Sequence, residues 1–153
     1  MTENMEKTKA KYLIEGPVTP QRVADMVAKH QPKTDCGAHT IFLGQVRADE
    51  EGGKKVVAID YSAYEEMADK AIAAIREEAF AKWQLRCLHI YHSLGEVKVG
   101  ECSLMVMVSS AHRQPSFPSL EYIVEEVKKR VPVWKKEIFE DGSHRWIDGE
   151  PNI

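Results

Sequence analysis

The chain has few of the features that would place it outside the reducing interior of a cell or inside a membrane. Its three cysteines, Cys36, Cys87 and Cys102, are odd in number, far apart and set in or beside apolar runs. That is the pattern of reduced, packed thiols, not of a disulfide framework. No CxxC pair and no Cys/His spacing suggests zinc, so no metal is expected. No run approaches the roughly 20 apolar residues that cross a bilayer as a helix. The segment from Met1 to Lys11 is polar and mixed in charge, without the apolar stretch of a signal peptide. A cytoplasmic protein is expected. Net charge is only -3, so no global field draws the protein to nucleic acid or to an anionic membrane, and any anion site has to be a local cluster. There is no Gly-x-Ser-x-Gly elbow and no HExxH. Gly52-Gly53-Lys54-Lys55 lacks the Walker spacing and the Ser/Thr that would hold magnesium.

What is present fits one ordinary globular domain. With 153 residues, 43% of them apolar and 29% charged, the chain buries one real core and is too short for two. The expected organisation is a flexible N-terminus, 1–11, followed by a single domain, 12–153. Tyr12 to Glu15 reads as a short strand stopped by Gly16-Pro17. Thr19-Pro20 then opens a helix, the threonine as N-cap and the proline where its missing N–H costs nothing. Val23, Met26 and Val27 give this helix an inward face, and it should end near His30 to Pro32. His39 to Val46 and Lys55 to Tyr61 read as strands around a mobile polar loop, Ala48 to Gly53.

Met67, Ala68, Ala71, Ile72, Ile75 and Ala79 recur at helical spacing and predict a long helix from about Glu65 to Trp83. Arg86 to Leu94 and Glu101 to Ser110 read as strands joined by a connection from Gly95 to Gly100. The second is so continuously apolar that both its faces should be covered. A last helix from Phe117 to Arg130 carries an inward stripe of Phe117, Leu120, Val124, Val127 and Val131, and Pro132 stops it. Lys135 to Phe139 and His144 to Ile147 suggest a short C-terminal β-hairpin around Asp141-Gly142. The expected class is α+β, a mixed and mainly antiparallel sheet with about three helices, α/β-hammerhead-like.

Two clusters suggest chemistry. His112-Arg113 follow a buried strand and precede a helix, where backbone N–H groups and the helix dipole favour a phosphate or carboxylate and an arginine fork can grip it. The alternative is a loop histidine and a solvated arginine. Downstream, Lys128-Lys-Arg-Val-Pro-Val-Trp-Lys-Lys136 sets five cations in nine residues around an apolar Val-Pro-Val-Trp. Lys128 borders the buried stripe, so desolvation would lower its pKa and fit it to act as nucleophile or proton acceptor. Against that, Glu125 lies three residues earlier and could simply pair with it. Lys135 and Lys136 alternate on a strand, so at most one shares a pocket with Lys128. Arg47, at a strand end, reads alone as a solvated charge.

Phe42-Leu-Gly-Gln-Val-Arg47, Ser110-Ala-His-Arg113 and Lys128-Lys-Arg-Val-Pro-Val-Trp-Lys-Lys-Glu137, in this order, resemble the large catalytic subunit family of molybdopterin synthase. The similarity runs from about Tyr12 to Gly149 and includes the closing Gly142-Ser-His-Arg-Trp146. The resemblance implies a sulfurtransferase of molybdenum cofactor biosynthesis that inserts two sulfurs into cyclic pyranopterin monophosphate. The sulfur would arrive as a thiocarboxylate on the C-terminal Gly-Gly tail of a small ubiquitin-like partner, with no metal or other cofactor required. Substrate contacts would fall on Gln45, Val46, Arg47, His112, Arg113, Lys128, Lys135, Lys136 and Glu137. Lys128 would carry the chemistry, assisted by Lys135. The large subunits would pair, one small subunit docking at each far end of a heterotetramer, with Arg145 reaching a neighbouring pocket. Tyr61 to Met67 departs from the His-Tyr-Pro-type turn of other members. A non-catalytic binder of a ubiquitin-like tail and another phosphate-ester enzyme are the competing readings. Single-stranded nucleic acid binding fits the acidic net charge badly.

Overall fold

The computed structural model describes residues 10–147, and of the expected flexible N-terminus residues 1–9 lie outside them. Eight strands and three helices follow in the order β1 (Leu13–Glu15), α1 (Pro20–His30), β2 (Ala38–Gln45), β3 (Glu50–Glu51), β4 (Lys54–Ala63), α2 (Glu65–Lys82), β5 (Cys87–Lys98), β6 (Cys102–Ser110), α3 (Ser116–Arg130), β7 (Val133–Phe139) and β8 (His144–Ile147). The main strand order is β2-β6-β5-β4-β7-β8, every neighbour antiparallel, with β1 added parallel to β5 and β3 paired to β4. This is the mainly antiparallel α+β domain expected, with its three helices and its terminal hairpin.

The long strand β5 joins two halves of the sheet. Its first residues, Cys87 to His92, pair with β6, and its last, Gly95 to Lys98, pair with β4. Gly95 stands at the changeover with φ of 84°, a left-handed conformation that a side chain would strain. The predicted connection from Gly95 to Gly100 is therefore mostly strand. The loop after β2 is likewise more ordered than its composition suggests. Glu50–Glu51 pair with Lys54–Lys55 across Gly52-Gly53, both glycines having positive φ, as a two-residue hairpin turn needs.

Strand β6 is buried on both faces, as its apolarity predicts. Leu104, Val106 and Val108 point into the main core with Ala68, Ile72, Ile75 and Ala79 of α2 and Ile123 and Val127 of α3. Met105 and Met107 point the other way, against Met26 of α1 and Val18. A third, smaller core of Val46, Ile59, Tyr61 and Val97 lies under the β4–β5 half.

Helix α1 starts as read, with Thr19 Oγ1 accepting the Arg22 N–H at 3.1 Å. The inward stripe of α3 is rotated from the expected one. Ser116, Ser119, Ile123 and Val127 are buried, whereas Phe117 is 60% exposed. The serines can be buried because their hydroxyls are partnered: Ser116 Oγ meets Ser110 Oγ at 2.6 Å and Ser119 donates to the Pro115 carbonyl at 2.6 Å. Met67 is also turned outward. Arg130 at the end of α3 grips Glu78 of α2 through two nitrogens, at 2.7 and 2.8 Å, while Tyr122 donates to the same carboxylate. That fork fixes the helix end that carries Lys128.

Candidate active site

Helix α3 runs back along β6, its N-terminus tied to the strand's end by the Ser110–Ser116 contact and its last turn above the strand's beginning. Where that turn meets β5 and β7, a small cavity of about 40 Å³ opens, lined by His92, Leu104, Val127, Lys128, Val131, Val133 and Lys135. Val127, Val131 and Leu104 make it dry, and two lysines and a histidine make it reactive.

Burial, and then the Lys135 ammonium, lower the Lys128 amine to about 7; Glu125 opposes this and Arg47 adds to it. The expected competitor, a Glu125 pair, is absent from the salt bridges among the described residues. Near neutral pH, Lys128 is thus divided between a proton donor and a free amine. Lys135 is also lowered, by burial first and Arg47 second. His92, which the sequence did not single out, is buried, and desolvation lowers it to about 4. Its Nδ1–H donates to the Ser93 carbonyl at 2.9 Å, so the neutral ring keeps its lone pair on Nε2. The ring stands edge-on to Tyr61, whose hydroxyl donates to Ser103 at 2.9 Å. The sequence signal was the alternation of β5: Leu88, Ile90 and His92 share the core face.

The other predicted site residues are distributed unevenly. Arg47 is close enough to act on both lysines, although its guanidinium is exposed and pairs with Asp49 at 3.1 Å. Gln45 is exposed at the end of β2, and Val46 is packed in the third core. Lys136 faces away from the cavity, 3.8 Å from Asp60 and over the Trp146 ring. Glu137 is buried on the Lys135 side of β7 and accepts from Arg145 at 2.9 and 3.2 Å. Arg145 also pairs with Glu51 at 3.6 Å, so its charge is engaged within its own chain. His112 and Arg113 are exposed at the far end of β6. Lys128 lies twelve steps along α3 from Ser116, placing the two clusters roughly 20 Å apart in one chain.

The family model for MoaE protein matches residues 13–130. The chain belongs to the MoaE family. Among curated members, the molybdopterin synthase catalytic subunit of Pyrococcus abyssi is 45% identical over 117 residues, covering 76% of this chain and 78% of that one. The bovine molybdopterin synthase catalytic subunit is 43% identical over 72% of this chain, which spans 58% of that longer protein. The crystal structure of molybdopterin synthase from Staphylococcus aureus superposes with a TM-score of 0.78 at 31% identity, covering 91% of this chain and 97% of that one. A complex of subunits 1 and 2 of the Helicobacter pylori molybdopterin-converting factor shares the fold, with a TM-score of 0.76 at 20% identity over 90% of this chain and 89% of that one. The MoaE family is thus built on the sheet and helices that frame the Lys128 cavity.

Proposed function

We propose that this chain is the catalytic subunit of a molybdopterin synthase, transferring sulfur from a small ubiquitin-like partner to cyclic pyranopterin monophosphate in the cytoplasm. The observation that carries this reading is the Lys128 amine, held near 7 beside Lys135 and His92 in a cavity of a MoaE-family chain. An amine poised there can take a proton from one intermediate and return it to the next. Lys135 supplies a second positive charge for a phosphate or for the partner's terminal thiocarboxylate. Exposed Tyr64 and Trp134, near the junction of β4 and β7, offer apolar surface for the partner's tail.

The roughly 20 Å between Lys128 and His112-Arg113 gives self-association a chemical purpose. Within one chain these groups stand at opposite ends of α3, and a second copy supplies His112 and Arg113 to the first copy's lysines. Arg145 orients Glu137 beneath Lys135 in its own chain, and its half-exposed guanidinium can also reach a neighbouring copy's pocket. The direct test is dithiolene formation from cyclic pyranopterin monophosphate with a thiocarboxylated small subunit. Wild type should make product, and a folded, partner-binding Lys128→Ala should not. Tail binding without any product from wild type would favour a non-catalytic binder.

A further inference from the structure

On the face of the sheet turned away from Lys128 lies a group of side chains that sulfur transfer does not use. Leu88 and Ile90 of β5 face the main core, so the alternate residues Cys87 and His89 face α1. There they meet His30, the last residue of that helix, which is 2% exposed. The His30 Nδ1–H donates to the Met26 carbonyl at 2.8 Å. A carbonyl can only accept, so the neutral ring holds its lone pair on Nε2, and that atom lies 2.9 Å from Nε2 of His89. One donor atom each from His30, Cys87 and His89 falls within 4.8 Å of the others. A helix-backbone carbonyl that locks the far nitrogen of an imidazole is the arrangement that orients a metal-binding histidine.

We propose that His30, Cys87 and His89 bind one transition-metal ion of the zinc type, pinning the C-terminus of α1 to the centre of the sheet. Two imidazoles and a thiolate suit a borderline-soft ion and would fill three positions of a tetrahedron. With metal–nitrogen bonds of about 2.0 to 2.1 Å and a metal–sulfur bond of about 2.3 Å, tetrahedral donors stand roughly 3.3 to 3.6 Å apart. The two imidazole nitrogens therefore need only separate by a few tenths of an ångström. The fourth position falls to water. Binding replaces the Cys87 S–H proton, which leaves to solvent, while the neutral His89 ring shifts its proton from Nε2 to Nδ1 and gives the metal the freed lone pair, so one proton is released per ion. No electron is transferred. The sequence hid this site because His30 lies 59 residues from His89 and the three ligands match no zinc-finger spacing.

The test uses chelator-treated full-length protein without a polyhistidine tag, titrated with Co²⁺ and, in competition with a chromogenic chelator, with Zn²⁺. One equivalent of Co²⁺ should produce a thiolate-to-cobalt charge-transfer band, which Zn²⁺ abolishes by displacement. Cys87→Ser should lose the band. His89→Gln should weaken Zn²⁺ binding by more than about 100-fold, beyond the loss expected for a residue that only orients a ligand. Wild type should also show Zn²⁺-dependent protection of Cys87 from alkylation, mapped by mass spectrometry, while Cys102 stays reactive. That measurement needs no variant and survives any folding defect in one. The absence of a charge-transfer band in wild type, or its survival in Cys87→Ser, would overturn the proposal; so would equal alkylation of Cys87 with and without Zn²⁺.

Discussion

Lys128 and Lys135 line one cavity from two different elements, the last turn of α3 and the third residue of β7, and Lys135 helps hold the Lys128 amine near 7. Val131 and Pro132 make the bend between them, so seven residues of sequence bring two cations onto the same apolar floor. Like charges in a dry site disfavour each other's protonation. That is how a lysine becomes a base at neutral pH.

Removing the Lys128 amine should therefore remove the chemistry and leave the scaffold. Lys128→Ala is expected to lower the rate of dithiolene formation by about a hundredfold to ten-thousandfold, the range for a lost acid–base group. Circular dichroism and binding of the small subunit should be unchanged. A variant within a few-fold of wild type would transfer the role elsewhere.

The pH dependence has a definite sign. Lys128 is depressed from 10.5 to about 7, so its free amine appears as pH rises through about 7, and a rate that needs a base should rise over the same interval. In Lys135→Met one repulsive charge is gone, the protonated form of Lys128 becomes easier to hold, and the acid limb should move to higher pH. Rate profiles of the two proteins decide this. A limb that stays fixed would separate the two lysines.

His92 makes a prediction about stability. Burial keeps it neutral down to about pH 4 in the fold, against about 6.5 in an unfolded chain. Between these values only the unfolded state takes the proton. Its contribution is complete above about pH 6.5, falls as pH drops toward 4, and then levels off, a loss of about 3 kcal/mol at most. Urea unfolding of wild type and His92→Gln across this window measures it, and the variant should show the shallower slope.

Gly37 is the position where a methyl group should be felt at a distance. A Cβ there would run into the backbone carbonyl of Ala111, the residue before His112-Arg113. Gly37→Ala should cost about 1 to 3 kcal/mol, as overpacking against unyielding backbone does. It should also weaken substrate binding, read as a raised KM, because the His112-Arg113 turn must shift to make room.

Much of this was legible in the residues. Thr19-Pro20 located a helix start, Asp141-Gly142 a hairpin, and Pro132 a helix end. The unbroken apolarity of Leu104 to Val108 announced a strand covered on both faces. Lys128 stood out because it bordered a buried stripe. Three things stayed hidden because they depend on contacts between distant segments. His92 joins the cavity only where β5, α3 and β7 converge. Phe117 lost its inward place to serines whose burial is made cheap by partners on β6 and in the turn. The gap between Lys128 and His112-Arg113 follows from the direction of α3 along β6, which no motif records.

The length of α3 also bears on heredity. If each reaction centre draws its lysines from one chain and its His112-Arg113 from another, two different defects need not add up. A Lys128→Ala chain and a His112→Ala/Arg113→Ala chain, each inactive alone, would form mixed pairs in which one of the two centres has every group intact. Coexpressed, the two dead alleles should complement each other, recovering about a quarter of wild-type activity when assembly is random.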